Sequence, residues 1–219
     1  GLVPQCGFSV AAANFYAGRL ITPGTLVAVF LATSDEALPI LVSQPGALPD
    51  LLLLLGVKLV AGAVFGILTD LLWKRLPHRA PESPFEELCK DCDCEHHGIF
   101  RSALTHTVRI ALFLLLINLV LGGAIHAVGE ERISQVLLSG SVLQPFVAAL
   151  LGFIPNCASS VILTELYLAG SLSFGAAVAG LCTGAGVGLI VLFKTNRNMK
   201  QNFQILLYLY LAGTIAGTV

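Results

Sequence analysis

From Leu51 to Trp73 the chain reads LLLLLGVKLVAGAVFGILTDLLW, with Lys58 and Asp70 as its only charges. A run this long and this apolar suits one solvent above all, because a bilayer core requires about 20 such residues per helix. Ser102–Val128, Ile133–Phe153 and Phe174–Phe193 have the same character. Ile21–Val42 is long enough but carries Asp35, Glu36 and Pro39, and Phe203–Val219 is slightly shorter. Val3–Ala17 and Pro155–Ala169 are short apolar segments at two Pro-x-Cys motifs. The pattern predicts an all-α integral membrane protein with about eight membrane segments. Composition excludes a soluble domain: 11% of residues are charged, against about 25% in soluble proteins.

The positive charges sort by side. Arg19 stands in one connection, Lys74, Arg75, Arg79, Lys90 and Arg101 in a second, and Lys194, Arg197 and Lys200 in a third. Counted through eight spans, these three connections fall on the same face, and the opposite face holds only Arg132. Cytoplasmic loops carry the Lys/Arg excess, so the three connections are expected in the cytoplasm and the protein in the cell's inner membrane.

The two Pro-x-Cys motifs belong to a longer repeat. GLVPQCGFSV (1–10) returns as GFIPNCASSV (152–161), displaced by 151 residues, with Gly1, Pro4, Cys6, Ser9 and Val10 matched. FYAGRLITPGTLVAVFLA (15–32) then lies over LYLAGSLSFGAAVAGLCT (166–183) without a gap, pairing Tyr16 with Tyr167 and Gly24 with Gly175. Two apolar helices precede the second motif and one follows each copy. The unit is therefore expected to have five helices, with the first two of copy one missing upstream. The organisation expected is residues 1–73 as the later part of repeat 1, a cytoplasmic loop at 74–101, and repeat 2 at 102–219. Consecutive units of five spans insert in opposite directions, so the repeats are expected to be inverted. Inverted repeats are common in secondary transporters, where Gly- or Pro-interrupted segments at matching positions point to a midplane substrate site.

GLVPQCGFS, TPGTLVAVFLATSDEALPIL, CEHHGIFRSALTHT and GFIPNCASSVILTELY together resemble a ten-transmembrane heavy-metal exporter family. Its members are described as manganese transporters or arsenic efflux proteins, and it is similar in style to the organoarsenical permeases. The resemblance covers nearly the whole chain. It implies ten helices, eight present and two upstream, and export of a heavy-metal or metalloid ion.

Charges inside the membrane are the natural candidates for function, since one near the bilayer centre costs at least about 2.5–3.5 kcal/mol on insertion scales. Glu165 lies in a short apolar helix, and its repeat mate is Asn14. The pair could bind a hard cation, or Glu165 could carry a proton. Asp35 and Glu36 in ATSDEALPI align with TGAGVGLIV, which reads as the inside of a continuous apolar span. On that reading one copy keeps small residues where the other places two carboxylates beside a broken helix. Lys58 is at a similar depth and could pair with either carboxylate or reach outward to the headgroups. Arg109 reads as an interfacial anchor, and His106, in SALTHT, is a weaker pathway candidate. Cys6 and Cys157 are soft ligands at equivalent places, suited to thiophilic ions or to inert packing. Cys182 has no repeat mate and reads as packing. Gly180, Gly184 and Gly188 read as a close-packing stripe.

The loop sequence CKDCDCEHH offers Cys89, Cys92, Cys94, His96 and His97. On the reducing side of the membrane cysteines are more often metal-binding than disulfide-bonded, and this set suits zinc or a similar ion. PHRAPESP before it reads as a linker.

These features predict a secondary-active exporter of manganese, a zinc-like cation or arsenite, working by alternating access. Asn14, Asp35, Glu36 and Glu165 would serve manganese, and Cys6 and Cys157 trivalent arsenic. No Walker motif is present, so ion coupling is expected, and no HExxH, nucleophile elbow or cofactor fingerprint marks an enzyme. The alternatives are a membrane metal-sensing or thiol-redox protein built on Cys89, Cys92 and Cys94, or a carrier of a small organic anion balanced by Lys58 and Arg109. Expected partners are the lipid bilayer and a metal or metalloid ion, with no nucleic acid and no resident cofactor; a homo-oligomer is compatible with the chain.

Overall fold

The computed structural model describes residues 6–33, 37–44, 46–73, 143–155, 157–196 and 198–218, with six single positions between 108 and 123. Among the described residues there are helices and no strands. The expected span at Ser102–Val128, those six positions apart, and the first part of Ile133–Phe153 (133–142) lie outside them, as does the loop at 74–101.

The first group of helices is α1 (Cys6–Ala17), α2 (Pro23–Ala32), α3 (Ala37–Ser43) and α4 (Leu48–Trp73). The second is α5 (Gln144–Gly152), α6 (Cys157–Leu168), α7 (Phe174–Thr183), α8 (Val187–Thr195) and α9 (Met199–Thr218). Among the described residues three stretches are long and apolar enough to cross a membrane: Pro23–Ser43, Leu48–Trp73 and Phe174–Thr195. Only the second is one unbroken helix, 26 residues long.

Local chemistry explains where these helices start and stop. Thr22 caps α2, its hydroxyl accepting from the Thr25 N–H at 3.1 Å, and Pro23 opens the first turn. Ser173 plays the same part for α7, accepting from the Ala176 N–H at 3.3 Å. Such caps satisfy backbone donors that have no partner within the helix. Asp70, near the end of α4, adds to the α2 cap. Its carboxylate accepts from the Thr22 hydroxyl and from the Gly24 N–H, each at 2.8 Å. That contact sets the start of α2 against the end of α4, so the two helices run antiparallel.

The helix boundaries carry the 151-residue displacement seen in the sequence. α1 and α6 coincide at both ends under that shift, α2 and α7 likewise, and α4 and α9 start together. Packing repeats too. A Cβ on Gly24 would sit 2.2 Å from the Gly66 carbonyl oxygen, and one on Gly175 would sit 2.2 Å from that of Gly217. A Cβ on Gly62 would sit 3.0 Å from the Ala28 carbonyl oxygen, and one on Gly213 3.2 Å from that of Ala179. Small residues thus bring α2 onto α4, and α7 onto α9, at backbone contact. This is how membrane helices associate when lipid is as apolar as their side chains.

Pairs between the groups are reciprocal. α1 packs on α8 and α6 on α3; α2 packs on α9 and α7 on α4; α2 meets α7 and α4 meets α9. The core lies where these helices cross, and Phe30, Leu31, Leu181, Leu192 and Ile205 belong to it. The outer side of α4 exposes Leu52, Val60, Ile67 and Leu71, a surface suited to lipid.

One expectation is corrected. Phe174–Phe193 is not a continuous span: α7 stops at Thr183 and α8 begins at Val187. Gly186 sits at φ 54 and ψ −142, a conformation essentially reserved for glycine. TGAGVGLIV therefore holds a break, at the place where α2 gives way to α3 in the other copy. The glycine stripe dissolves for the same reason. Gly180 packs on Ala148 of α5, Gly184 caps α7, and Gly188 packs on Ser9 of α1.

Candidate functional site: a buried cation between two helix ends

The last carbonyls of a helix have no intrahelical partner, and the helix dipole makes that end negative. Two such ends, those of α2 and α7, come together in the core. Both belong to interrupted spans. Thr33, the C-cap of α2, leaves the helix in an extended conformation, and its N–H still reaches back to the Val29 carbonyl. Gly184 does the same for α7, bonding back to Gly180.

Lys58 reaches into this meeting point from α4. It stands about 15 Å along the helix from Leu48, at 1.5 Å per residue, and only 1% of its surface is exposed. Its ammonium donates to the main-chain carbonyl of Thr33 and, at 2.8 Å, to that of Leu181. One partner comes from each copy of the repeat, so a single cation joins the two halves. The position equivalent to Lys58 in the second copy is Leu209, which is fully buried and apolar. The helix ends are thus paired by symmetry, while the cation between them is not.

A second polar contact lies nearby. The Tyr167 hydroxyl donates to Asp50 Oδ2 at 2.8 Å, linking α6 to the first turn of α4. A small, mostly apolar pocket is lined by Asp50, Tyr167, Leu54, Thr164 and Leu181. Leu181 carries one of the two carbonyls that hold Lys58, so the pocket borders that site. Asp50 escaped the reading of the sequence because an acid just before an apolar run looks like an ordinary helix start. Tyr167 was visible there only as a match to Tyr16.

The other candidates are spread out. Asn14 is half-buried on α1, whereas Glu165 is exposed on α6. These helices have different neighbours, α8 and α2 for α1, and α3 and α7 for α6. Cys157 is half-buried at the start of α6, where its carbonyl accepts from the Ser160 hydroxyl at 2.9 Å. Cys182 is fully buried in the core, as packing requires. Cys6 opens α1, and its side chain lies outside the described residues. So do Asp35, Glu36, His106, Arg109 and the loop residues Cys89, Cys92, Cys94, His96 and His97. Among the described residues no group of three His, Cys, Asp or Glu side chains is placed to hold a metal. Lys58 is buried in the core and bonded to main-chain carbonyls.

A multi-pass helical membrane protein with two interrupted spans meeting at a buried charge is the class that this fold and site define. The chain belongs to the family described as "Putative, 10TM heavy-metal exporter", which matches residues 108–219, slightly more than half of its length. No curated protein and no solved structure matches it.

Proposed function

We propose that the protein is a secondary-active exporter of a heavy-metal or metalloid ion, working by alternating access between two inverted five-helix repeats. One observation carries this reading: the two interrupted spans, α2–α3 and α7–α8, break at repeat-equivalent positions and meet on Lys58. Broken helices at matching places in two repeats are the best structural pointer to a transport site. Family membership supplies the cargo class. The shared helix boundaries and reciprocal contacts support a pseudo-two-fold relation, and the odd number of helices per unit together with the Lys/Arg distribution supports inversion.

In this reading the protein is a carrier and not an enzyme, sits in the inner membrane, and couples to an ion gradient. Asn14, Asp35, Glu36 and Glu165 form the oxygen-ligand set and Cys6 and Cys157 the thiol set, while the Cys89–His97 loop captures cargo on the cytoplasmic side. Manganese prefers the oxygens and thiophilic ions the sulfurs. The test is uptake of manganese, zinc and arsenite into inverted vesicles containing the full-length protein, with and without a proton gradient. Gradient-dependent uptake of one ion, lost in Glu165→Gln, is expected. Absence of uptake for all three, with metal still bound by the Cys89–His97 loop, would replace the exporter with a metal sensor.

A further inference from the structure

The site around Lys58 has the ligands of a cation site before any ion is considered. Among the described residues its oxygens include two main-chain carbonyls at the C-terminal ends of two interrupted helices, one from each repeat copy. In transporters with broken helices, such ends and unwound carbonyls are what coordinate a coupling Na+. Here the place is taken by an ammonium group of this chain, held at 2.8 Å from the Leu181 oxygen and hydrogen-bonded to that of Thr33. Its stem comes from α4, which runs unbroken for 26 residues, so the charge is delivered by a rigid support.

We infer that the Lys58 ammonium is a tethered cation, filling a main-chain carbonyl site that a free alkali ion would otherwise occupy. A tethered charge neutralises the two negative helix ends without having to be bound from solution. It therefore removes any requirement for Na+ or K+ at the junction of the two halves. Asymmetry of the repeat fits this role. One charge between two helix ends is sufficient, and the equivalent position is the buried Leu209. The inference rests on the carbonyl geometry and not on the identity of the cargo.

The experiment measures thermal unfolding of the purified full-length protein at constant ionic strength, in choline, sodium, potassium or propylammonium chloride. Wild type is expected to be indifferent to the cation. Lys58→Ala is expected to unfold at lower temperature in choline, and to recover saturably by at least about 3 °C in sodium, potassium or propylammonium. If Lys58→Ala cannot be extracted folded in choline, its recovery when extracted in the other salts becomes the readout. A flat response to all of them, or the same response in wild type, overturns the inference. Lys58→Gln separates charge from hydrogen bonding: wild-type stability in choline for this neutral donor would show that two hydrogen bonds suffice, and would also overturn it. None of these readouts involves transport. A flat Lys58→Ala with intact gradient-driven uptake sinks the tethered cation alone, and a cation response without uptake sinks the exporter alone.

Discussion

At the scale of single residues, the chain's most exceptional choice is a lysine in the middle of an apolar helix. Inserting that charge costs at least about 2.5–3.5 kcal/mol, which only good partners offset. Those partners include the Thr33 and Leu181 carbonyls, and each of the two loses this donor if Lys58 becomes methionine. An unsatisfied buried carbonyl costs about 1–3 kcal/mol, while removing the buried charge returns part of that. Lys58→Met is therefore expected to lower stability by about 1–3 kcal/mol, measured by denaturant or thermal unfolding in detergent. Unchanged stability would mean that the two helix ends do not need a donor. The charge itself was legible in the sequence. Its partners were not, because side-chain letters say nothing about which main-chain carbonyls a helix end leaves open.

At the scale of elements, two glycine contacts and one glycine conformation govern how the helices meet. Gly24→Ala and Gly175→Ala would each press a methyl group into a carbonyl oxygen on the opposing helix, Gly66 and Gly217 respectively. Overpacking of this kind costs about 1–3 kcal/mol, and both variants are expected to lose stability, Gly24→Ala the more because its Cβ would also meet the Asp70 carboxylate. Gly56→Ala is the control. Nothing lies within 4 Å of a Cβ there, so the change should be neutral or stabilising by up to about 1 kcal/mol through helix propensity. A loss in only one of the first two would argue that α2–α4 and α7–α9 do not pack as repeats. Gly186→Ala addresses the break before α8. Its backbone at φ 54 and ψ −142 strains any residue with a Cβ by about 1–3 kcal/mol, and loss of both stability and uptake is expected. The sequence showed Gly24 and Gly175 as a matched pair and so pointed at one real contact. It could not show the break, because an apolar run keeps the same hydropathy whether its helix continues or stops. Only the positive φ distinguishes Gly186 from a packing glycine.

At the scale of the whole molecule, the 151-residue displacement found in the letters reappears in helix boundaries, glycine contacts and reciprocal packing. It extends to the turns. Arg19 and Gly170 are repeat mates, and both adopt a left-handed backbone, at φ 56 and φ 73. Each ends its helix by the same hydrogen bonds, Arg19 N–H to Tyr16 and Gly170 N–H to Tyr167, both at 2.9 Å. Contacts establish which parts correspond, but a two-fold relation can run along the membrane normal or within its plane. The proposed direction rests on charge: with the positive-inside pattern the Arg19 turn is expected in the cytoplasm, and inversion would put the Gly170 turn outside. Leu20 and Ser171 are exposed in these two turns. In a variant lacking the six native cysteines, Leu20→Cys is expected to react with an impermeant maleimide only in inverted vesicles, and Ser171→Cys only in intact cells. Labelling of both from one side would make the repeats parallel. It would then remove the five-helix unit and the rocking of one half against the other, since a parallel pair cannot present the same site alternately by exchanging the roles of its halves. Opposite labelling would instead turn the repeated Pro-x-Cys motif and the paired breaks into two views of one site, approached from the two faces of the membrane.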